Sequence, residues 1–399
     1  MMRPAVLRQA PRLIPRTDIR WKSGMYGYTQ AKSLVYTKVG NPDEVLFVHK
    51  SSISPSIPAS QVLLRTLAAP INPADINTIQ GTYGVKPAYS SLNGTADPSA
   101  IGGNEGVFEV VSAGSQVSDT FKPGDWVIPA SSGFGTWRTH ALADANTLMS
   151  IDKTGLTPTQ AATVSVNPST AYRILRMYGP EKNLRGMTPL EPNSGKWFIQ
   201  NGANSGVGRA AVQFGKLWGL RSINVIRERD TPEATEALKK ELFDLGATEV
   251  VTHAEFTSRD WSDRLKSILG KDEIGLGMNC VGGKSLTAMA RSMGHGGSIV
   301  TYGAMAAREP SQVPAGLMIF KDIRLLGFWL TRWNQNDPDG RRTTINDILE
   351  MMRQRRFVDV PYIEQKWDWD TEDAKLTSIV QKGLEGFRGG KGIFMFGDT

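Results

Sequence analysis

Short apolar runs dominate the pattern of residues 32–166, and glycine, proline, asparagine and aspartate separate them. The runs include "SLVYTKV", "EVLFVHK", "QVLLRTLAAPI", "GVFEVVSAG" and "DWVIPA". Runs of this length with turn residues between them are typical of β-strands in a barrel-like module. From about Thr170 to Asp337 strand-like runs alternate with helix-like runs. That alternation predicts βαβ units and a parallel sheet, so we expect a domain boundary near Asn167.

The end of the chain has a third pattern. The segments "INDILEMMRQRRF" and "EDAKLTSIVQKGLEGF" predict helices, and "KGIFMF" after them predicts a terminal strand that packs back on the first domain. A chain of 399 residues is also long enough for two cores. The pattern therefore predicts an α/β protein: a doubly wound parallel sheet over residues 167–345, and a mostly β domain formed by residues 23–166 and 346–399.

Positive charge is concentrated at the start of the chain. Six basic residues against one acidic residue in positions 1–22 account for five of the seven net positive charges. Arginines at this spacing among apolar residues predict a mitochondrial transit peptide over 1–22, with a disordered basic tail as the alternative. The nearly neutral remainder disfavours nucleic-acid binding, and the chain has no apolar run of about 18 residues that would span a membrane. A single cysteine excludes an internal disulfide and agrees with a reducing matrix.

A glycine-rich turn lies between a predicted strand and a predicted helix. "KWFIQ" (196–200) is strand-like, "NGANSGVG" follows it, and "RAAVQFGKLWG" is helical in composition. Gly202, Gly206 and Gly208 permit a tight turn and close backbone approach, while the free N–H groups at a helix start attract a pyrophosphate. The spacing is G-x-x-x-G-x-G, a variant of the usual dinucleotide fingerprint. This segment predicts a Rossmann cofactor-binding domain.

The next strand, "RSINVI", ends at Ile226, where NAD-binding domains place an acid that binds the ribose 2′-hydroxyl. This chain has Arg227, Glu228 and Arg229 there. Two guanidinium groups suit a 2′-phosphate, so the sequence favours NADPH. The alternative is a solvated loop in which Glu228 acts as the ordinary NAD acid.

Later strands in "LGMNCVGG" and "GGSIVTYGAM" also end on glycine. Cys280 is predicted to be a core residue, and Tyr302 is predicted to be either a core residue or a wall for the nicotinamide.

The order of a β module, a Rossmann domain and a short return resembles the medium-chain dehydrogenase/reductase superfamily, whose first domain is GroES-like. Its zinc enzymes carry metal ligands at three positions where this chain has Asn72, Asn104 and Val166. The chain's four histidines and Cys280 do not assemble a zinc-ligand spacing either, so we predict no metal. Without zinc to polarise a carbonyl, the expected acceptor is an activated C=C bond.

Reduction of such a bond requires a proton donor. The loop "INPADINTIQGTYGVKP" lies where a zinc-ligand loop would face the nicotinamide, and it contains Tyr83. A phenol is protonated at neutral pH and fits this role. Tyr89, six residues further along, is the rival candidate.

Several motifs together resemble the mitochondrial trans-2-enoyl-thioester reductases, from about Tyr36 to the C-terminus. They include "INPADINTIQGTY", "GNEGVFEV", "VNPSTAYRIL", "IQNGANSGVGRA", "INVIRER", "VTYGAM", "IFKDIRLLGFWLT" and "GKGIF". The resemblance implies NADPH-dependent reduction of enoyl thioesters of coenzyme A or acyl carrier protein in mitochondrial fatty-acid synthesis, with hydride added to Cβ and a proton to Cα. It implies that Tyr83 is the proton donor. The cofactor contacts that it implies are Asn167, Asn204, Ser205, Gly206, Val207, Arg227, Glu228, Arg229, Tyr302, Gly303, Ala304, Met305, Phe328, Trp329, Leu330, Thr331 and Lys391.

Some alternatives stay open from the sequence. The enoyl-thioester reductase family usually has glycine where Ala304 stands. The zinc-free quinone reductases share the fold and most features of the cofactor-binding cradle, which is formed by the glycine turn and the residues that follow the next strand. A nucleic-acid-binding protein that retains the cofactor fold is a non-enzymatic alternative. The run "IRLLGFWL" predicts a strand, either in the core or pairing with its symmetry mate in a homodimer. The basic segment "RQRR" (353–356) is either a solvated helix face or a contact for coenzyme A or an acidic carrier protein.

Overall fold

The computed structural model describes residues 29–176, 190–306, 309–385, 390–397 and 399; the predicted transit peptide, 1–22, lies outside them. The strands are β1 (Gln30–Tyr36), β2 (Phe47–Ser52), β3 (Gln61–Pro70), β4 (Ala100–Ile101), β5 (Val107–Ala113), β6 (Trp126–Pro129), β7 (His140–Asp144), β8 (Leu148–Ile151), β9 (Trp197–Asn201), β10 (Arg221–Ile226), β11 (Glu249–Thr252), β12 (Ile274–Asn279), β13 (Ser298–Thr301), β14 (Arg324–Gly327), β15 (Tyr362–Trp367) and β16 (Lys391–Phe396). The α-helices are α1 (Pro42–Val45), α2 (Pro73–Ile79), α3 (Pro158–Thr163), α4 (Asn167–Arg176), α5 (Gly206–Leu217), α6 (Pro232–Leu245), α7 (His253–Thr257), α8 (Trp261–Leu269), α9 (Gly283–Ser292), α10 (Ala315–Lys321), α11 (Leu330–Asn336), α12 (Pro338–Arg353) and α13 (Asp373–Glu385).

The described residues contain a parallel sheet of six strands in the order β11-β10-β9-β12-β13-β14. All five strand pairs are parallel. Strand β9 is buried along its whole length, and residues 222–226 of β10 are buried too, as expected for strands that helices cover on both faces. This is the strand order of a Rossmann domain, so the doubly wound parallel sheet predicted from the alternating pattern is confirmed.

The N-terminal half forms a second, mostly antiparallel sheet with the order β15-β16-β3-β5-β6-β8, and β7 pairs with β3. Strand β16 pairs antiparallel with β3, with Ile393 opposite Pro70. The predicted return of the terminal strand to the first domain is therefore confirmed. Strand β15, parallel to β16, was not predicted. Residues 362–366 alternate between exposed and half-buried and Trp367 alone is buried, so the apolar signal of this strand in the sequence is weak.

Helix α4 connects the two sheets. It packs on α5 and α12, and Tyr172 of α4 lies edge-on to Phe214 and to Trp218. Helix α12 runs through residue 346, so the predicted division between residues 345 and 346 falls inside a helix. Among the described residues, no helix is both long enough and apolar enough to cross a membrane.

Candidate cofactor and substrate site

The glycine turn after β9 has the geometry of a phosphate-binding loop. Gly202 has φ +62°, a left-handed conformation that glycine adopts without strain. Ser205 caps α5, and its hydroxyl oxygen accepts a hydrogen bond from the Gly208 N–H at 3.1 Å. A side chain on Gly208 would collide with the backbone of Ala203. The chain therefore presents the start of α5, with free N–H groups and its positive dipole end, to an anion.

Arg209 links the glycine turn to the neighbouring helix α6. Its Nε donates to the backbone oxygen of Asn204 at 3.1 Å, and its two terminal nitrogens donate to Glu241 of α6 at 2.6 and 2.9 Å. These hydrogen bonds lower the pKa of Glu241. Arg209 could not be identified from the sequence, because an arginine one residue after the glycine motif has no signal of its own without its partner on the next helix.

The three residues after β10 divide into two roles. Glu228 turns towards α7, and its Oε1 accepts a hydrogen bond from the Ala254 N–H at 2.7 Å. Burial opposes its ionisation, but this bond and one from Thr252 outweigh burial and lower the pKa of Glu228. The side chains of Arg227 and Arg229 are exposed, and neither guanidinium forms an ion pair with a described residue. Two unpaired guanidinium groups beside an engaged carboxylate fit a 2′-phosphate better than a 2′-hydroxyl.

Amide side chains hold the carboxyl ends of three central strands together. Asn201, at the end of β9, donates through Nδ2 to Oδ1 of Asn279 at 2.8 Å, and Asn279 donates to the Thr301 hydroxyl at 3.1 Å. Cys280 is buried, as predicted, and its N–H donates to Asn201. Burial, with Cys280 beside it, raises the pKa of Tyr302, so its hydroxyl stays protonated. The two asparagines were missed, although a polar residue ending an apolar strand is a usable signal.

The three positions that hold zinc in related enzymes carry a hydrogen-bond network here. Oδ1 of Asp75 accepts from the N–H and the side-chain amide of Asn104 at 2.9 and 2.7 Å. Its other oxygen accepts from the Asn72 N–H at 2.7 Å. Burial raises the pKa of Asp75 to about 6, against these hydrogen bonds and Lys391. Amide side chains and Val166 offer no thiolate or imidazole, so this donor set does not fit zinc, and the described residues contain no other cluster that could hold a metal ion.

Lys391, at the start of β16, reaches the same network. Its Nζ donates to Oδ1 of Asn72, and Asn167 Nδ2 donates to that oxygen at 3.2 Å. Burial lowers the pKa of Lys391, while Glu105 and Asp75 oppose this shift. Two residues predicted to contact the cofactor, Lys391 and Asn167, thus meet on one side chain although they lie far apart in sequence.

Tyr83 contacts the segment that precedes α11. The indole Nε1 of Trp329 donates to the Tyr83 hydroxyl at 3.1 Å, and the two rings meet edge to face with centroids 6.1 Å apart. Tyr89 lies elsewhere, edge-on to Tyr36, and is exposed. The structure therefore brings Tyr83, and not its rival, to the predicted 328–331 segment.

This segment differs from the predicted strand "IRLLGFWL". Strand β14 ends at Gly327, Phe328 is buried, and Leu330 begins α11. Thr331 is also buried and shares a hydrogen bond with the Ser132 hydroxyl at 3.1 Å. The single strand was wrong because the strand hydrogen bonds end with the Phe328 N–H, which donates to Thr301, and a helix begins at Leu330. The apolar residues of the run therefore lie in three different environments.

The "YGAM" residues follow β13 beside Cys280. The Tyr302 N–H donates to the Asn279 backbone oxygen at 3.0 Å, and the Met305 N–H donates to the Cys280 backbone oxygen at 2.9 Å. Gly303 lies against Cys280, while the side chains of Ala304 and Met305 are exposed. These residues line the carboxyl edge of the sheet beside the end of β12, which lies between β13 and the strand that ends in the glycine turn.

Comparison with known proteins places this geometry in a family. Residues 58–158 match the alcohol dehydrogenase GroES-like domain, and residues 206–344 match the zinc-binding dehydrogenases. The mitochondrial enoyl-[acyl-carrier-protein] reductase of Yarrowia lipolytica is 46% identical over 331 residues, which are 83% of this chain and 82% of that protein. The solved Etr1p/NADP/crotonyl-CoA complex has a TM-score of 0.83 and 38% identity, over 92% of this chain and 99% of that one. The Etr1p/Etr2p heterodimer of mitochondrial 2-enoyl thioester reductase from Candida tropicalis has the same TM-score, identity and coverage.

A GroES-like module joined to a Rossmann sheet with a glycine turn defines a medium-chain dehydrogenase/reductase. Within that class, identities of 38–46% over most of the chain show that it belongs to the mitochondrial enoyl-acyl-carrier-protein reductase family. The family predicted from the sequence motifs is therefore confirmed.

Proposed function

We propose that this chain reduces trans-2-enoyl thioesters to saturated acyl thioesters with NADPH, in mitochondrial fatty-acid synthesis. The observation that carries the proposal is the hydrogen bond from Trp329 to the Tyr83 hydroxyl, which holds a proton donor next to the 328–331 segment. The acyl group reaches the site as a thioester of coenzyme A or of an acyl carrier protein. The relative Etr1p, solved with NADP and crotonyl-CoA, supports this substrate class.

The cofactor residues follow from the cradle. Asn204 to Val207 receive the pyrophosphate at the start of α5, and Arg227 and Arg229 receive the 2′-phosphate. Glu228 holds α7 and keeps its carboxylate away from that phosphate. Tyr302 to Met305, Phe328 to Thr331, Asn167 and Lys391 border the rest of the dinucleotide. NADPH, when bound, supplies the hydride that is added to Cβ of the enoyl group.

Tyr83 supplies the proton. Its oxygen accepts a hydrogen bond from Trp329, so its own O–H proton is free to point at the substrate. The same bond stabilises the phenolate that develops as the proton leaves for Cα. The two rings also pack edge to face, which fixes the direction of the hydroxyl.

The activity test compares three functions in one preparation. We expect the purified chain to oxidise NADPH rapidly with trans-2-butenoyl-CoA, slowly or not at all with a quinone, and to bind RNA only weakly at low salt. The measurement is NADPH absorbance under steady state, with an RNA titration at two salt concentrations. Turnover of quinone faster than of the enoyl thioester would replace this function with the quinone reductase alternative.

The chain further forms a homodimer, in our proposal, through the edge of the Rossmann sheet. Strand β14 lies at that edge, and beside it α10 exposes Ile319 (70%) and Phe320 (80%). An exposed apolar patch beside an open strand edge is typical of an interface. The heterodimer of the relative Etr1p with Etr2p supports an assembly of two chains.

We expect a dimer mass across a concentration series, and dissociation when Ile319 and Phe320 are both changed to glutamate, because two charges then face the interface. Light scattering measures the mass. Phe243→Glu on α6, where phenylalanine is 45% exposed, is the matched control and should leave the mass unchanged. A wild-type chain that stays monomeric at every concentration would contradict the proposal.

Residues 1–22 serve as the transit peptide in this proposal and direct the chain to the mitochondrial matrix; the relatives named as mitochondrial support that location. We also propose the division of the chain into two domains, one formed by residues 23–166 and 346–399 and the other by residues 167–345.

In the basic segment 353–356, Arg353 donates to the backbone oxygens of Asp152 and Thr154, so it holds α12 in place and is not available to a partner.

A further inference from the structure

Asn167, the first residue of α4, is held from two sides. Its side-chain Nδ2 donates to Oδ1 of Asn72 at 3.2 Å. The residue before it, Val166, donates its N–H to Oε1 of Glu105 at 2.8 Å. Glu105 also accepts from Nδ2 of Asn72 through its other oxygen, at 3.0 Å. Glu105 and Asn72 therefore form one connected clamp, which holds the Asn167 side chain and the backbone of the residue before it.

The clamped residue lies against the cofactor cradle. A Cβ added to Gly206, the first residue of α5, would come within 2.9 Å of Asn167 Nδ2. The amide of Asn167 thus occupies the space directly over the start of α5, where the proposed pyrophosphate binds. A shift of a few tenths of an ångström in this amide would change that contact.

The clamp is buried and lies between the ammonium group of Lys391 and the carboxyl group of Asp75, which act on the Glu105 pKa in opposite directions. Glu105 is fully buried and Asn72 is 3% exposed. Burial raises the pKa of Glu105, and the ammonium of Lys391 opposes that shift. Lys391 also donates to Oδ1 of Asn72, the oxygen that receives the Asn167 amide. A buried polar network of this kind is rigid only when every member keeps its partner.

We propose that Glu105 and Asn72 are positioning residues that act through Asn167 to set NADPH affinity. Neither touches the start of α5; each fixes the residue that does. This inference rests on the proposed function in one respect, namely that Asn167 contacts NADPH.

Glu105→Gln tests the clamp with almost no change in shape. Its amide places an N–H₂ group either against the Asn72 N–H₂ group or against the Val166 N–H and the Ser165 hydroxyl, so at least one donor loses its acceptor. We expect the Kd for NADPH to rise about tenfold, the scale of one lost charged hydrogen bond. Fluorescence of bound NADPH measures it. Glu109→Gln, four residues along and paired with Arg65 at 3.1 Å, is the matched control and should leave Kd unchanged.

A double-mutant cycle separates positioning from general stability. In an Asn167→Ala background, Glu105→Gln should add little to the rise in Kd, because the group through which it acts is gone. Additive effects on Kd, or an Asn167→Ala variant with unchanged Kd, would overturn the inference. So would a Glu105→Gln enzyme that loses thermal stability while its NADPH affinity stays at the wild-type value.

Asn72→Ser is a second route if Glu105→Gln does not fold. It removes the amide that joins Glu105 to Asn167 and also the oxygen that accepts from Lys391. In a background that carries both Asn167→Ala and Lys391→Met, Asn72→Ser should therefore add little to the rise in Kd. Both experiments measure binding without a second substrate. A wild-type chain that binds NADPH but does not reduce enoyl thioesters would therefore sink the proposed reaction and leave this inference standing.

Discussion

Tyr83→Phe should lower turnover of the enoyl thioester by about 100-fold or more while NADPH still binds. The substitution keeps the ring, so the edge-to-face packing against Trp329 stays in place. It removes the hydroxyl that accepts the Trp329 hydrogen bond and that supplies the proton to Cα. Hydride addition then builds charge on the substrate with no positioned acid to relieve it, and the barrier rises.

The measurement is kcat with trans-2-butenoyl-CoA beside the Kd for NADPH. Tyr89→Phe is the matched control, because Tyr89 lies on the same loop but packs against Tyr36 and is exposed. We expect it to keep turnover within about twofold of the wild type, as for most surface changes. A large loss in Tyr89→Phe alone would move the proton donor six residues along the loop, and a Tyr83→Phe enzyme with normal kcat would exclude Tyr83 from the reaction.

The cradle could be predicted from the sequence because its elements are local. The strand, the glycine turn and α5 follow one another in the chain, so apolar pattern and glycine positions are sufficient to predict them. The predicted order of strand, turn and helix is found in the structure, but β9 spans Trp197–Asn201, one residue later than predicted, and α5 begins at Gly206, three residues earlier than predicted. Arg227 and Arg229 are found by the same reasoning, since they directly follow the next strand.

The contacts that complete the site could not be predicted from the sequence. The Tyr83–Trp329 pair joins residues 246 positions apart, and the Lys391–Asn72 bond joins residues 319 apart. No local pattern marks such a pair, because each partner has an ordinary neighbourhood in the sequence. Resemblance to a family named the individual residues but not which of them touch.

The role of Asn72 shows the same limit. From the sequence, Asn72 is recognised only as the residue at a position where zinc enzymes have a metal ligand, which says nothing about what Asn72 itself does. In the structure its side chain bonds Glu105, Asn167 and Lys391 together. A buried asparagine can donate and accept at once, and its function depends on which partners the fold brings to it. The substitution of a metal ligand therefore left an ordered network in place, and not a gap.

Changing both Arg227 and Arg229 to alanine should raise the Kd for NADPH by about 100-fold or more and leave the Kd for NADH nearly unchanged. Each guanidinium is exposed, and although the charge of Arg229 helps to lower the pKa of Glu241, neither forms an ion pair of 4 Å or less with a described residue, so both charges are available to the 2′-phosphate. Two charge-assisted hydrogen bonds of about 1.5–3 kcal/mol each account for an effect of this size. NADH has no 2′-phosphate and loses nothing by the change.

The position of Glu228 makes the double variant's affinities for NADPH and NADH easier to interpret. Its carboxylate is engaged by the Ala254 N–H, so removal of the arginines does not turn this loop into an NAD site that holds the ribose 2′-hydroxyl. The double variant should lose NADPH preference without gaining NADH affinity. Fluorescence titration with both cofactors, repeated at two ionic strengths, measures this, and the salt dependence of NADPH binding should weaken along with the lost charges.

The matched control removes the same two positive charges elsewhere. Arg259 and Arg291 are exposed and are not among the residues proposed to contact the cofactor, so Arg259→Ala with Arg291→Ala gives the same net charge as the test variant. We expect its Kd for NADPH to stay within about twofold of the wild type, since solvent and salt screen exposed charges that do not contact the ligand. If this control weakens NADPH as much as the Arg227 and Arg229 pair does, overall charge governs the affinity and the 2′-phosphate assignment fails; if it does not, the preference for NADPH resides in the two residues that follow β10.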